Sequence, residues 1–324
     1  MSVNSTALQM LGTTHQLLTT ATRSSRLSIL IYHRVFPQPD SFHADVPDIT
    51  MFSWQMQILH RYYNVVPLAQ AIELLKSGEL PARTACVTFD DGYADNFLHA
   101  LPVLKQWQIP ATFFVASGFL NGGMMWNDVV LESIRYLEDG QLDLQTVGLD
   151  QYLLGNLQSR QQLAAQLLPI IKYLSPTQRN EVTQHLAELA KHQLPDDLMM
   201  TTEQLKQLHA SGMEIGGHTV SHPILSSLTT QQAEQEIFDG KEQLSALLDG
   251  ANIRYFAYPN GKPEHDFTSE HANIVKRLGF ESAVSTRCSS ATADSDLYQL
   301  PRFTPWDTTP FKFAMRLMKN TLLP

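Results

Sequence analysis

The feature that most constrains the fold is a repeated alternation of short apolar runs with longer segments of helical spacing. Leu27-Ser28-Ile29-Leu30-Ile31-Tyr32 is an apolar run of strand length, and Met51 to Tyr63 carries Trp54, Ile58 and Tyr62 at helical intervals. Ala85-Cys86-Val87 then leads a strand to Asp90, Pro102 is placed to start a helix, and Ala111 to Val115 reads as the next strand. Two later helix-strand pairs are Thr229–Leu248 with Ile253–Ala257, and His271–Leu278 with Ser282–Val284. Strand followed by helix, repeated, predicts an α/β fold with a parallel sheet and helices outside. A parallel barrel puts its chemistry at the C-terminal ends of its strands, so the residues just beyond each run are the ones to inspect.

At 324 residues, 43% hydrophobic, the chain can bury a large core. Length alone suggests about two domains, although α/β barrels use this length for one. Between Asn127 and Leu205 the pattern turns glutamine- and leucine-rich and helical, without strand signals. We read this stretch, 127–205, as a helical insertion that flanks the cleft, since inserted loops at barrel mouths carry function.

The net charge of −9 argues against nucleic acid, whose phosphates demand basic patches, and suits a neutral or cationic substrate. Cys86 and Cys288 are too few for a disulfide framework, and Cys86 reads as a small core residue. Met1 to Arg26 lacks a basic start followed by an apolar region, and no run is long enough to span a bilayer, so the expected location is the cytoplasm. Phe311 to Leu322 mixes Lys312, Arg316 and Lys319 with apolar residues; it reads as a helix packed on the core, with peripheral membrane contact as the other reading.

Two strand ends carry the chemistry. Thr88-Phe89-Asp90-Asp91-Gly92 closes a buried strand with two carboxylates and a glycine, and His218-Thr219-Val220-Ser221-His222 follows Met213-Glu214-Ile215-Gly216-Gly217. One carboxylate and two imidazoles hold a divalent metal while leaving a position for water, and a second carboxylate can serve as the water's base. Two histidines four apart fall on one side of a helical turn, which Pro223 would end. Consecutive Asp90 and Asp91 diverge on an extended strand end, so one should bind metal while the other stays free. Gly92 allows a sharp turn beside the ion. Either fragment alone is ordinary, because Asp-Asp-Gly is a common turn and twelve histidines make a chance pair easy.

Together, in this order, the fragments resemble the first two motifs of the polysaccharide deacetylase family, the NodB-homology or carbohydrate esterase family 4 enzymes. The resemblance continues through Ala111–Val115, Phe256-Ala257-Tyr258-Pro259-Asn260-Gly261, Ala283–Thr286 and Leu300-Pro301-Arg302, spanning about Leu27 to Phe303. It implies a distorted parallel (β/α)7 barrel at 27–324 behind an N-terminal extension at 1–26. It also implies that Asp91, His218 and His222 bind a divalent metal, most often Zn2+, and that Asp90 is the general base. The backbone N–H at Asn260 corresponds to the family's oxyanion donor, and Tyr258 in the same stretch is a candidate substrate contact.

The chain departs from the family pattern in two places. Ala257 stands where an arginine usually orients the catalytic aspartate, and Arg302 is a candidate substitute, with a surface or capping role as the equal alternative. No histidine follows His271 to act as general acid, which leaves His33, just beyond the first strand, as a candidate. Trp126, after Gly122-Gly123, is a candidate for stacking on a sugar ring. The implied activity is removal of N-acetyl groups from a sugar of a polysaccharide or lipid-linked glycan precursor. A deformylase or amidase acting on a smaller substrate with the same metal site, and a non-catalytic carbohydrate-binding module, remain as alternatives.

Overall fold

In the computed structural model, residues 6–22 and 25–322 are described; the parts of the expected N-terminal extension at 1–5 and 23–24, and residues 323–324, lie outside them. The chain divides into two compact units, one running to Leu120 and resuming at Met200, the other Asn121–Met199.

In the first unit seven parallel strands are hydrogen-bonded in chain order: β1 (Leu27–Tyr32), β2 (Thr84–Phe89), β3 (Ala111–Val115), β4 (Glu214–Gly217), β5 (Tyr255–Ala257), β6 (Ser282–Cys288) and β7 (Leu300–Arg302). Just past β7, Phe303 donates to Ile29 O at 2.7 Å and accepts from Ile31 N at 3.1 Å, so the last strand returns to the first and nearly closes a barrel. This is the distorted (β/α)7 barrel implied by the motif resemblance. A two-residue strand, Asn64–Val65, pairs with β2 outside that ring.

Every residue of β1, β2 and β3 is buried, as parallel strands covered on both faces require, and this is why they read in sequence as continuous apolar runs. Tyr32, Phe52, Phe89 and Phe113 form one aromatic stack in the core, with Phe89 and Phe113 centroids 4.7 Å apart. The helix Ile49–Tyr62 starts where Asp48 caps Met51 N at 2.7 Å. The helix Pro310–Leu322 buries Phe313, Ala314 and Leu317, with Phe313 edge-on to Trp54, so its apolar face is covered by the chain itself. It packs against the helix Thr6–Thr22, where His15 and Thr321 share a buried 2.7 Å hydrogen bond. Among the described residues no helix is long and apolar enough to cross a membrane.

The Asn121–Met199 unit has three helices, Trp126–Tyr136, Leu157–Lys172 and Pro176–Ala190, the last opened by a Ser175/Gln178 capping box. It also contains an antiparallel hairpin, Gly140–Asp143 with Gln151–Leu154, which the sequence pattern did not announce. Only Leu142 and Leu154 of those eight residues are buried, so no apolar alternation marks the strands. The helix Thr202–Ala210 belongs with the barrel: Leu205 and Leu208 join its core, and Met200 N donates to Gly92 O at 3.0 Å.

Candidate active site

At the end of β2, Asp90 N continues the ladder by donating to Tyr32 O at 2.9 Å, and the chain then turns through left-handed Asp91 (φ 77°) and Gly92 (φ 93°). A Cβ on Gly92 would stand 2.9 Å from Val115 Cγ1, so the turn needs both the positive φ and the missing side chain. At the end of β4 the glycines have a packing reason as well. A Cβ on Gly216 would lie 2.4 Å from the Phe114 ring and 2.9 Å from Tyr255 O.

The histidines are not on a helical turn. The segment His218–His222 is irregular, with Thr219 (φ 67°) and His222 (φ 54°) both left-handed. Side chains and neighbouring loops hold it in that shape. Glu236, on the helix Thr230–Leu247, accepts from Val220 N (3.0 Å), Ser221 N (2.9 Å) and Ser221 Oγ (2.7 Å). Ser117 N and Gly118 N donate to Thr219 O and Val220 O, and Gly240 passes so close that a Cβ would meet Thr219 C at 2.7 Å. Strained backbone over-determined by its surroundings is common at functional sites.

This geometry brings Asp91, His218 and His222 together, all buried, with their ligand atoms within 4.8 Å of one another. Both Nε2 atoms lie 3.3 Å from Asp91 Oδ1. His218 Nδ1 sits 2.6 Å from Ala257 O, which fixes Nδ1 as the protonated nitrogen and turns Nε2 inward. Asp91 Oδ1 is buried and has no hydrogen-bond donor. A tetrahedral ion with ligand bonds of about 2.0 to 2.2 Å has ligand–ligand edges of about 3.3 to 3.6 Å, so the residues fit a zinc-class divalent ion.

The electrostatics of Asp91 and His222 agree with this, while His218 would release a proton on binding the ion. Burial pushes the Asp91 carboxyl up, but the adjacent His222 and His218 outweigh it and hold the group below the usual carboxylate range. Burial also dominates at His222 and lowers it to about 4, so its imidazole is neutral at neutral pH, as a ligand must be. At His218 burial is overcome by Asp91 and Asp90, and the group is raised.

Asp90, 3% exposed, is gripped by Arg302, itself 1% exposed. Nη1 donates to Oδ1 and Nη2 to Oδ2, each at 2.7 Å, while Nε donates to Ser285 O at 2.9 Å. Burial alone would raise Asp90, but the guanidinium prevails and keeps the carboxyl below its ordinary value. Arg302 thus supplies the guanidinium on Asp90, and Ala257 has none to offer.

His33 is exposed at the end of β1, near enough for its charge to act on Asp90, Asp91 and His222. Its carbonyl accepts from Asn96 Nδ2 at 2.8 Å, and next to it Asp95 binds Arg34 Nε at 2.8 Å and Val35 N at 3.1 Å. Asn260 is left-handed (φ 59°) and half-buried, with its carbonyl accepting from Thr286 Oγ1. Among the described residues its N–H has no acceptor. Tyr258 must be reassigned. It is 0% exposed, its ring is stacked on Phe267 at 3.7 Å and its hydroxyl donates to Tyr298 O, so it packs the core and has no surface for substrate. Trp126 belongs to the Asn121–Met199 unit, where it is half-buried with the Arg179 guanidinium over its ring at 5.4 Å.

Glu236, Asp95 and Asn96 were not singled out from sequence. Each is a polar residue on a helix or its entry, indistinguishable there from a solvated one.

Comparison with known proteins bears on this arrangement. Residues 77–283 match the family model for polysaccharide deacetylase. YxkH of Bacillus subtilis (strain 168), a candidate polysaccharide deacetylase, is 22% identical over 282 residues, covering 86% of this chain and 71% of that protein. Among solved structures, Streptococcus pyogenes deacetylase PplD in complex with acetate superposes with a TM-score of 0.61 at 21% identity, over 90% of this chain and 98% of that one. IcaB from Ammonifex degensii superposes with a TM-score of 0.58 at 22% identity, over 92% and 98%. At these identities the structural likeness speaks for the barrel, while the family match spans well over half of the chain. The chain belongs to the polysaccharide deacetylase family, hydrolases that act on carbon–nitrogen bonds other than peptide bonds.

Proposed function

We propose that the protein removes N-acetyl groups from N-acetylated sugars of a polysaccharide or lipid-linked glycan precursor, using a divalent ion, Zn2+ in first place, held by Asp91, His218 and His222. The observation that carries this reading is the donor-less buried Asp91 Oδ1 facing two inward Nε2 atoms, one residue from an ionised Asp90 clamped by Arg302. The ion, when bound, is a Lewis acid that lowers the pKa of water and polarises an amide carbonyl.

The chain's own groups supply the rest. Asp90 accepts the proton of the attacking water as hydroxide adds to the carbonyl carbon, and Arg302 holds the carboxylate ionised and aimed. The free N–H of Asn260 donates to the developing oxyanion. When the C–N bond breaks, His33 at the rim of the site protonates the amine, and acetate and a free amino sugar leave. The catalytic domain is 27–324, with the Asn121–Met199 unit inserted in its sequence.

The test is acetate release from N-acetylglucosamine oligomers by protein stripped with a chelator and then reloaded with Zn2+. We expect activity only after reloading. Equal rates before and after would overturn the metal's role, and no release from N-acetylated oligomers in the loaded state would overturn the substrate assignment.

A further inference from the structure

A cavity of about 520 Å³ opens at the C-terminal ends of β1 and β7, the two strands whose meeting nearly closes the barrel. Its wall includes Tyr32 at the end of β1 and His33 just past it, Val46 and Pro47 from the following loop, and Pro305 and Trp306 beyond β7. The volume is that of a ligand site, and the lining is mostly apolar with a few polar groups. Tyr32, in this wall, accepts at its carbonyl from Asp90 N at 2.9 Å, so the cavity lies beside the catalytic centre.

Trp306 is the unusual element. Its side chain is 53% exposed, although a tryptophan at a surface loses most by facing water. One face of the indole is covered by the Arg316 guanidinium, whose carbon lies 3.7 Å from the ring centroid. Arg316 is itself fixed. It pairs with Asp307 at 2.8 Å, donates to Thr304 O and lies 4.5 Å over the Phe303 ring. A cation stacked on one face, anchored by a carboxylate and a carbonyl, leaves the indole held in place with its remaining surface open toward the cavity.

We infer that Trp306 is the floor of a sugar subsite beside the catalytic centre, on which the pyranose neighbouring the reacting residue of the glycan stacks. The axial C–H face of a pyranose is apolar and flat, which matches an aromatic platform, while its hydroxyls reach the polar groups at the rim. A small amide has nothing to place there. This inference rests on the deacetylase reading above and adds a substrate-positioning residue to it. Trp126, the tryptophan that the sequence suggested for stacking, stands in the other unit with Arg179 on its ring.

The experiment compares wild type, Trp306→Ala and Trp306→Phe, all Zn2+-loaded, on the N-acetylglucosamine pentamer and on the monosaccharide. Binding of the pentamer is also measured directly by calorimetry. With Trp306→Ala, KM and Kd for the pentamer should rise about three- to tenfold, the worth of one aromatic stack, with a smaller change in kcat and a smaller effect on the monosaccharide. Trp306→Phe should recover most of the loss, and zinc content should match wild type. Pentamer KM and Kd equal to wild type in Trp306→Ala would overturn the subsite. So would a loss of zinc together with a collapse of kcat, which marks a structural tryptophan. If wild type releases no acetate, the deacetylase reading fails, and the calorimetric comparison alone decides the subsite; no pentamer binding by wild type would overturn it.

Discussion

Arg302 and Asp90 form a fully buried fork-to-fork ion pair, two parallel hydrogen bonds of 2.7 Å across the barrel mouth between the end of β7 and the end of β2. The guanidinium reaches this carboxylate from the last strand, whereas position 257 on β5, to which the family resemblance would assign an orienting arginine, is alanine. The seam that nearly closes the barrel, Phe303 on β1, lies one residue further along. Closure of the barrel and aim of the base thus fall on adjacent residues of one segment.

Arg302→Met should expose the opposing tendency at Asp90. Burial raises the carboxyl and only the guanidinium reverses it, so without that charge the acidic limb of the pH–rate profile should move to higher pH. Arg302→Lys retains a charge but loses the planar fork, so its rate should fall with a smaller movement of that limb. Because Arg302→Met leaves a buried carboxylate unpaired, it should also cost about 3 to 5 kcal/mol of stability, read by denaturant melts. An unchanged pH profile in Arg302→Met would show that Asp90 is oriented by something else.

The two adjacent aspartates should separate cleanly. Asp90→Asn keeps the shape and removes the base, so turnover should drop by about 10²- to 10⁴-fold while zinc content stays near wild type. Asp91→Asn should lose zinc. Metal analysis of the two purified variants decides it, and the reverse pattern would exchange their roles.

Glu236 should act on metal affinity from outside the ligand set. Its carboxylate accepts three hydrogen bonds from the loop that carries both histidines, and a glutamine cannot accept all three without turning an NH2 toward a donor. Glu236→Gln is expected to weaken zinc binding by about 10- to 100-fold in a chelator competition titration, with a melting temperature near that of wild type under zinc saturation. Affinity equal to wild type would mean that Ser117, Gly118 and Gly240 suffice to shape the loop.

Much of this site was legible in the sequence, and the parts that were not have physical causes. The runs Leu27–Tyr32 and Ala111–Val115 coincide with β1 and β3 because strands buried on both faces are apolar but for one small hydroxyl residue each, Ser28 and Thr112. The abrupt Asp90-Asp91-Gly92 signals a strand end because two carboxylates and a glycine interrupt the apolar run. The histidine spacing misleads, since i, i+4 is equally met by a looped turn with two left-handed residues, and those φ values depend on Glu236 and Gly240 from a distant helix. Tyr258 looks like a site residue by its position two before Asn260, yet the Phe267 ring and the Tyr298 carbonyl, both distant in sequence, hold its ring and hydroxyl in the core. Trp306 gives no signal of its own, because its exposure is set by Arg316 on the C-terminal helix.

The metal-free protein should lose stability as pH falls between about 6.5 and about 4, and His222 should contribute a share of the slope, beside His15, which burial likewise lowers to about 4. An unperturbed histidine in the unfolded chain takes up its proton near pH 6.5, whereas burial holds folded His222 neutral down to about 4. In that window the unfolded state binds the extra proton, so acidification favours unfolding by up to about 1.4 kcal/mol per pH unit. His218 does not cancel this. Its folded value is raised, so its contribution is already complete below the unfolded value and is lost only as pH rises through the folded one. Asp91 is depressed, and its contribution is present above the unfolded value of about 3.9 and lost below it, outside most of the window. Melting temperatures of chelator-treated wild type and His222→Gln, followed from pH 7 to 4, should therefore diverge in slope, with the variant flatter. Parallel curves would show that folded His222 takes its proton near the ordinary pH.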